Sequence, residues 1–277
     1  MKNVVWMLAA LLLTGCVSTS NAPDPLRLYV LDCGYLRFND VVAFGLTNEE
    51  TSVRDMFVPC YLVDHPEGQL FWDAGLDPAI AGKGERLLQA GAFQRYDRSV
   101  LDQLAEIGFP PDDIEWIALS HMHFDHSGAA NYFPESHLLI QQSEYDAAFL
   151  KPEGNPVFTY EFYSELADNP RTLLDGDHDV FGDGRVIILS APGHTPGHQV
   201  LFLDLAETGP LVLSGDLYHF RFSRTHQRTP VFNTDAEETV ESMKKVEAFL
   251  EARNATLWIE HDKALADTLM KAPAFYE

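Results

Sequence analysis

Residues 120–128 read Ser120-His121-Met122-His123-Phe124-Asp125-His126-Ser127-Gly128. Because residues two apart in an extended chain point the same way, His121 and His123 can chelate one ion, whereas on a helix they would diverge by about 200°. A turn after His123 would leave Asp125 and His126 free to face a second ion, with the next two residues leading into a helix. The segment therefore predicts a site for two metal ions.

Three more ligand-type side chains stand shortly after predicted strands, as His121 does: His194, Asp216 and His261. Strand ends at one edge of a sheet form a rigid frame from which loops can aim side chains at a common point. Imidazole and carboxylate donors without cysteine suit zinc, while manganese, iron and cobalt remain open alternatives. We therefore expect two divalent ions, with zinc as the default.

Apolar runs bounded by turn residues predict short strands interrupted by two helices. One helix is predicted over 99–107, ending at Gly108, and another over 235–252, beginning after Thr234 with Glu237 placed for a capping box. This mixed order fits sheets covered by helices better than an all-β barrel. The strands are predicted at 26–32, 56–64, 70–73, 114–120, 138–141, 185–190, 199–204, 211–214 and 256–260.

The motifs together resemble the metallo-β-lactamase superfamily. Beside the His-x-His-x-Asp-His segment, the resemblance rests on Gly193-His194-Thr195-Pro196-Gly197-His198, Ser214-Gly215-Asp216 and Glu260-His261-Asp262. It implies an α+β fold, an αβ/βα sandwich of two mixed sheets flanked by helices, with the metal ions at one edge. It also implies a ligand set of His121, His123 and His194 on one ion, Asp125, His126 and His261 on the other, and Asp216 bridging.

The resemblance assigns supporting roles as well. Asp73 matches the acidic residue that follows an early strand in the family, and we expect it to orient a ligand by hydrogen bonding. His198 is interpreted as a structural histidine close behind the ligands rather than a ligand. Ser127 and Ser214 are interpreted as turn residues, because the sequence has no Gly-x-Ser-x-Gly elbow to make a serine nucleophile.

Two segments, 59–76 and 229–262, resemble the N-acyl homoserine lactone hydrolases more narrowly. These lactonases carry a tyrosine three residues after the bridging aspartate, which contacts the substrate carbonyl. Here Tyr218 stands two residues after Asp216 and His219 three, so either side chain, or neither, donates that hydrogen bond. An acyl chain would find an apolar pocket among Phe124, Phe220, Phe222 and Phe232, unless these are simply core residues.

The implied reaction is hydrolysis by a hydroxide that bridges the two ions, with Asp125 moving a proton between water and leaving group. A small-molecule lactone is the first expected substrate. Another hydrolase of this fold, acting on thioesters, aryl esters, phosphodiesters or β-lactams, is the second reading. A non-catalytic lipoprotein that binds metal or ligand is the third, and the presence of all seven ligand positions argues against it.

The N-terminus has the features of an export signal. Lys2 precedes an apolar run at 4–13, and the run ends at Leu13-Thr14-Gly15-Cys16, which resembles the bacterial lipobox. We expect a lipoprotein signal peptide at 1–15, a lipid-anchored tether at 16–25 that reaches the membrane through lipidated Cys16, and a hydrolase domain at 26–277. By resemblance to the usual sorting pattern of double-membraned bacteria, Val17 after the cysteine favours the outer membrane, and the expected location is the outer membrane or a position facing the periplasm. A plain secretory signal with an incidental cysteine is the alternative.

A formal charge of −23 excludes nucleic acid as an expected partner, because phosphate recognition needs clustered Lys and Arg. If Cys16 is acylated, Cys33 and Cys60 remain, and in an oxidising compartment they could pair. The sequence cannot decide that pairing, because it does not give the distance between their Cα atoms. Nor does it fix the oligomeric state.

Overall fold

The structure is a computed structural model that describes residues 25–89, 91–151 and 158–277. The signal peptide, Cys16 and all of the tether except residue 25 lie outside the described residues, so those assignments stay predictions. Within the described ranges, no helix has both the length and the apolar character needed to span a bilayer.

Two sheets account for the strands of the described residues. The first sheet has nine strands in the order β4-β5-β1-β2-β3-β6-β7-β8, with β14 paired to β1, and the second has five in the order β13-β12-β11-β10-β9. The strands are β1 Arg27–Phe38, β2 Asp55–His65, β3 Gly68–Trp72, β4 Arg86–Gln89, β5 Ala92–Arg95, β6 Trp116–Ala118, β7 His137–Gln141, β8 Arg171–Leu174, β9 His178–Asp179, β10 Val186–Ser190, β11 Gln199–Leu205, β12 Gly209–Leu213, β13 Thr256–Trp258 and β14 Phe275–Tyr276.

The helices are mostly short and lie between or outside the sheets. Single-turn 3₁₀ helices cover Val42–Phe44 and Gly215–Leu217, the second of which contains Asp216, and a π-helical turn covers Asp146–Leu150. The α-helices are α1 Val100–Ile107, α2 Phe124–Ser127, α3 Gln142–Tyr145, α4 Arg221–His226, α5 Ala236–Arg253 and α6 Lys263–Ala266.

The two sheets pack face to face, and the side chains of β2 show how the core is divided between its two faces. Along this strand, Val58 and Leu62 belong to one buried cluster while Phe57 and Val63 belong to another, because successive side chains point to opposite faces. The inner cluster joins β2 to residues of β10 to β12, and the outer one includes Leu104 of α1. On the far face of the second sheet, α5 covers a third cluster. The predicted αβ/βα sandwich is therefore confirmed.

The helix caps predicted from the sequence are observed at α1, whereas at α5 the N-cap is a different residue. The side chain of Ser99 accepts a hydrogen bond from the Leu101 amide at the start of α1, and Gly108 ends that helix, as predicted. At α5 the N-cap is Asp235 rather than Thr234, and its carboxylate accepts from the amides of both Glu237 and Glu238. A carboxylate at a helix start forms charge-assisted bonds, which favours it over the neighbouring hydroxyl.

Sequence patterning missed five strands: β4, β5, β8, β9 and β14. These are two to four residues long and lie mainly at sheet edges, so most of their side chains are at least partly exposed and show no continuous apolar run. β6 is also shorter than the predicted strand 114–120. Its last two predicted residues instead start the loop that carries the histidines.

The disulfide that the sequence left open is present between Cys33 of β1 and Cys60 of β2, with Cα atoms 5.7 Å apart. It lies against the loop after β3, where the Leu76 amide donates to the Cys33 carbonyl at 3.2 Å. Gly75 packs so closely there that a Cβ atom would come within 2.2 Å of the Cβ of Cys33. The disulfide therefore supports the loop that begins with Asp73.

Candidate metal centre

The ligand-type side chains meet because the strands before them end at one edge of the sandwich. β3 and β6 are parallel, and so are β12 and β13. β10 runs the same way as β12, since each is antiparallel to β11 between them. The carboxyl ends of parallel strands lie at the same edge of a sheet, so the loops carrying His121, His194, Asp216 and His261 converge there.

The chain turns after His123, as predicted. His123 is extended, with φ −67° and ψ 158°, and it is followed by the short helix α2. The amide of His126 and the hydroxyl of Ser127 both donate to the His123 carbonyl, at 3.0 Å and 2.8 Å. The turn separates Asp125 and His126 from the two preceding histidines, so the segment faces two positions rather than one.

The first group of ligand atoms comes from His121, His123, His194 and Asp216, which are all buried. Nε2 of His194 lies 3.2 Å from Nδ1 of His123 and 3.2 Å from Oδ2 of Asp216. Each residue offers one donor atom, and these atoms lie within 4.8 Å of one another. Three imidazole nitrogens and a carboxylate oxygen at this spacing can surround one cation.

The second group comes from Asp125, His126 and His261, with Asp216 between the two groups. Nε2 of His126 and Nε2 of His261 are 3.3 Å apart. Oδ1 of Asp216 lies 2.9 Å from Nε2 of His261 and 3.2 Å from Nε2 of His126, while Oδ2 faces the first group. Asp216 is thus positioned to bridge the two groups.

Two buried atoms test whether cations fit here. Nε2 of His121 and Oδ1 of Asp216 form no hydrogen bond within the described residues. Buried polar atoms are nearly always partnered, so Nε2 of His121 calls for a partner that the chain does not supply. Oδ1 of Asp216 faces ring nitrogens of His126 and His261, which are ligand-type atoms themselves. Their chemistry, a neutral nitrogen and a carboxylate oxygen, matches the donors that divalent metal ions take. The site therefore fits two divalent ions.

The pKa values of the site residues also favour bound cations. Burial, reinforced by neighbouring imidazoles, lowers the pKa of His121 and of His123 well below the usual value, which keeps both neutral and able to ligate. At His261 burial opposes the charged form, but the Asp216 carboxylate outweighs it and raises the pKa to about 9. The surroundings of Asp216 therefore favour positive charge, which a bound metal ion would supply.

Asp73 has the predicted orienting role. Its Oδ2 lies 2.8 Å from Nδ1 of His126, and its Oδ1 accepts a hydrogen bond from the Ser120 amide at 2.6 Å. Holding Nδ1 in this way turns Nε2 of His126 toward Asp216 and fixes the ring. A backbone carbonyl does the same for His261, whose Nδ1 donates to Phe57 at 2.7 Å.

His198 is structural, as interpreted from the sequence. Its Nδ1 donates to the Ala191 carbonyl at 3.1 Å, and its Nε2 accepts from the Asp216 amide at 2.9 Å. Both ring nitrogens are therefore occupied, and burial lowers the pKa of His198 to about 3. The ring holds the backbone of the bridging aspartate in place.

Three supporting residues were not identified from the sequence. Oδ1 of Asn233 accepts a hydrogen bond from Nδ1 of His194 at 2.9 Å, and Glu260 accepts from the Gly215 amide at 2.8 Å. Glu144 of α3 is buried, and its carboxylate accepts from the amides of Met122 and Gly197. Glu260 stands beside His261 in a quoted motif, so it could have been found, whereas nothing local in sequence marks Glu144 or Asn233.

Of the two side chains that the sequence offered for contact with the substrate carbonyl, Tyr218 points away from the metal centre. Residue 218 is extended, with φ −139° and ψ 124°, and adjacent side chains therefore point to opposite sides. The Tyr218 hydroxyl donates to Glu247 of α5 at 2.9 Å, on the outer face of the second sheet. His219 faces inward instead, with Nε2 3.0 Å from Oδ2 of Asp216.

An apolar cavity of about 250 Å³ opens beside the ligand groups. Of the four predicted phenylalanines, Phe124 and Phe232 line it, whereas Phe220 is packed in the core against Phe44 and Phe222 stacks on His226. Most of the residues that line this cavity were not predicted from the sequence. The cavity is lined by Leu36, Phe38, Ala43, Phe44, Met56, Leu88, Gln89, His123, Phe124, Asp125, Asp216, His219, Phe232 and His261.

Comparisons with known proteins agree with this geometry. The family model of the metallo-beta-lactamase superfamily matches residues 53–254. The chain is 29% identical over 270 residues to the N-acyl homoserine lactonase AttM of Rhizobium radiobacter, covering 91% of this chain and 98% of the relative. It is 28% identical over 249 residues to an N-acyl homoserine lactonase of a Bacillus species, covering 85% and 93%.

Solved structures share the fold. An N-acyl homoserine lactone hydrolase with N-hexanoyl-L-homoserine at its catalytic metal centre superimposes with a TM-score of 0.77 at 23% identity, covering 90% of this chain and 98% of that one. AidC, a dizinc quorum-quenching lactonase, gives a TM-score of 0.65 at 20% identity, covering 92% and 95%.

Proposed function

The chain belongs to the metallo-β-lactamase superfamily, and from this membership we propose that it is a dinuclear metal-dependent hydrolase that opens lactone rings, with N-acyl homoserine lactones as substrates. One observation carries the proposal: seven ligand-type side chains converge beside a cavity whose other walls are mainly apolar. The relatives named as lactonases, and the bound products in related structures, support the substrate class. We propose zinc as the metal, in line with the donor set and the dizinc relative.

Two divalent ions bound here would supply an activated water near neutral pH and an electrophilic contact for a carbonyl oxygen. His121, His123 and His194 would hold one ion, Asp125, His126 and His261 the other, and Asp216 both. Burial keeps His121 and His123 neutral, while Asp73 and the Phe57 carbonyl hold Nδ1 of His126 and of His261, which leaves Nε2 of each ring facing the site. Because the bound ions would activate a water molecule, hydrolysis needs no nucleophilic side chain.

Asp125 is the residue we assign to proton transfer. It lines the cavity, and its Oδ2 lies 3.7 Å from Nε2 of His261. Opening a lactone requires a proton to leave the attacking water and another to reach the departing alkoxide oxygen. A carboxylate that borders both the ligand group and the substrate space can make both transfers.

His219 is the residue we assign to hydrogen bonding with the substrate carbonyl. It lines the cavity, stands at the third position after Asp216 and is packed against Phe44, with ring centroids 5.1 Å apart. A lactone carbonyl entering beside the first ligand group would come within reach of this ring. A donor aimed at developing negative charge stabilises the transition state.

The apolar wall fits an acyl chain. Phe38, Phe44 and Phe232 line the cavity beside Met56 and Leu88. Each methylene that leaves water for such a wall contributes about 0.8 kcal/mol, or about fourfold in kcat/KM, as long as the wall extends. Activity should therefore rise with acyl-chain length until the cavity is filled.

A panel assay tests the function. Metal-loaded protein is offered N-acyl homoserine lactones with acyl chains of increasing length, together with a thioester, an aryl ester, a phosphodiester and a β-lactam, before and after chelation. We expect lactone opening that rises with chain length, is lost on chelation and returns with zinc. Fully loaded protein that opens no lactone but cleaves another member of the panel would establish the second reading instead.

We also propose that the protein is an exported lipoprotein, anchored through Cys16 to the outer membrane and facing the periplasm. The Leu13-Thr14-Gly15-Cys16 sequence after the apolar run supports this. The disulfide between Cys33 and Cys60 is consistent with an oxidising compartment.

A further inference from the structure

One buried carboxylate connects the two loops that supply the histidines of the first ligand group. Glu144 is 1% exposed and lies on the single-turn helix α3, directly after β7. One of its oxygens, Oε1, accepts from the Met122 amide at 3.0 Å, and the other, Oε2, accepts from the Gly197 amide at 2.9 Å. Met122 stands between His121 and His123, and Gly197 follows His194 by three residues.

The loop around Gly197 is pressed onto α3. A Cβ atom added at Gly197 would lie 2.5 Å from the Glu144 amide nitrogen, so no side chain fits at this position. Beside it, the Ser143 hydroxyl donates to the Pro196 carbonyl at 2.8 Å. The distance between the two loops is therefore determined by α3.

Two further hydrogen bonds join these segments at the ends of the strands. The Gln199 amide donates to the Ser120 carbonyl at 2.9 Å, and the Gln199 side chain donates to the Leu119 carbonyl at 2.9 Å. These bonds align the strands on which the loops begin and end. Glu144 acts inside the loops, next to the ligating residues themselves.

We propose that Glu144 is a positioning residue, which fixes the separation of the His121–His123 pair from His194 and so sets the geometry of the first metal site. Glu144 belongs to neither ligand group and does not line the cavity. Hydrogen bonds from amides to a carboxylate are shorter and stronger than neutral ones, which suits a tie that must hold a ligand set to a fraction of an ångström. The inference rests on the dinuclear site of the proposed function and not on the identity of its substrate.

The test compares Glu144→Gln with a matched substitution elsewhere. The substituted side chain would keep the volume but offer one acceptor, leaving the other amide facing an NH₂ group. Asp179 provides the control, because its carboxylate also accepts from two backbone amides, Gly182 at 2.9 Å and Gly184 at 2.8 Å, in a turn that carries no ligand. Asp179→Asn is therefore the same chemical change away from the site.

The readouts are zinc affinity, measured by competition with a chelator, and the visible spectrum of the cobalt-substituted full-length protein. Supporting residues around a metal site typically affect affinity by about 10- to 100-fold. We expect a loss of that order for the ion of the first ligand group in Glu144→Gln, with a changed cobalt spectrum, and neither effect in Asp179→Asn. Equal affinities and spectra in the two variants would overturn the proposal.

Should Glu144→Gln fail to fold, Glu144→Asp decides, because it keeps the charge but is one methylene too short to reach both amides. We expect a several-fold loss of zinc affinity and a shifted cobalt spectrum in Glu144→Asp, and wild-type values for both would overturn the proposal. Both readouts are independent of turnover. A protein that opens no lactone therefore contradicts the proposed function without affecting this inference.

Discussion

The Cys33–Cys60 disulfide gives a quantitative prediction for stability, because it closes a loop of known length between β1 and β2. The two cysteines are 27 residues apart. In the chain-entropy model, a loop of this length lowers the entropy of the unfolded chain by about 12 cal/mol/K, which is about 3.5 kcal/mol at 25 °C. Breaking the disulfide should therefore lower the free energy of unfolding by about 3.5 kcal/mol.

The measurement is urea unfolding of the oxidised protein, the reduced protein and the Cys33→Ala/Cys60→Ala variant. A phosphine reductant is preferable, since thiols also bind metal ions. Both cysteines are fully buried, so the alanine variant also loses packing and should be somewhat less stable than the reduced wild type. In a domain of this size, 3.5 kcal/mol corresponds to a fall in Tm of about 7–14 °C.

The alanine variant is also the control, because the reductant should leave its stability unchanged. A difference of less than about 1 kcal/mol between oxidised and reduced wild type would refute the reasoning. It would mean that β1 and β2 stay associated in the unfolded chain, or that the thiols do not pair.

Three further predictions concern the site and the N-terminus. His123→Ala should lower the bound divalent ions from about two to about one per chain by elemental analysis and abolish hydrolysis, with an unchanged circular dichroism spectrum; full activity after exhaustive chelation would contradict it. His219→Ala should lower lactone turnover about 100- to 1,000-fold with metal content unchanged, whereas Tyr218→Phe should lower it less than about threefold. A larger loss in Tyr218→Phe than in His219→Ala would assign the substrate contact to Tyr218 instead. Cys16→Ser should convert a membrane-associated protein into an unprocessed precursor or a released form, and unmodified wild-type protein in the cytoplasmic fraction would rule out the anchor.

The ligand residues were predictable because the pattern that identifies them is local. Two histidines at alternate positions, a turn and an acidic residue can be recognised within nine positions of sequence, and the strands before His194, Asp216 and His261 carry clear apolar runs. The choice between Tyr218 and His219 was different. It depended on which way an extended backbone faces after a 3₁₀ turn, and residue types alone do not give that direction.

The residues that surround the ligands were harder to predict, because they come from distant parts of the chain. Leu36 and Phe38 end β1, Phe44 belongs to a 3₁₀ turn, and Leu88 lies in the short strand β4, yet all four line one cavity. Glu144 meets residues 22 and 53 positions away. Such contacts follow from sheet order and loop packing, which no periodicity in the sequence encodes.

The ligand residues follow strands of both sheets, and this division affects how the protein unfolds. His121, His123, Asp125 and His126 follow a strand of the first sheet, while His194, Asp216 and His261 follow strands of the second. Each ion would thus act as a cross-link between two halves that are otherwise held by side-chain packing and by hydrogen bonds such as those from Gln199 to Ser120 and Leu119. Each ion at 1,000 times its dissociation constant would add about 4 kcal/mol to stability. Removing the ions should leave each sheet intact while letting this edge of the sandwich open, so backbone amides of the ligand loops should exchange with solvent before those of the strands.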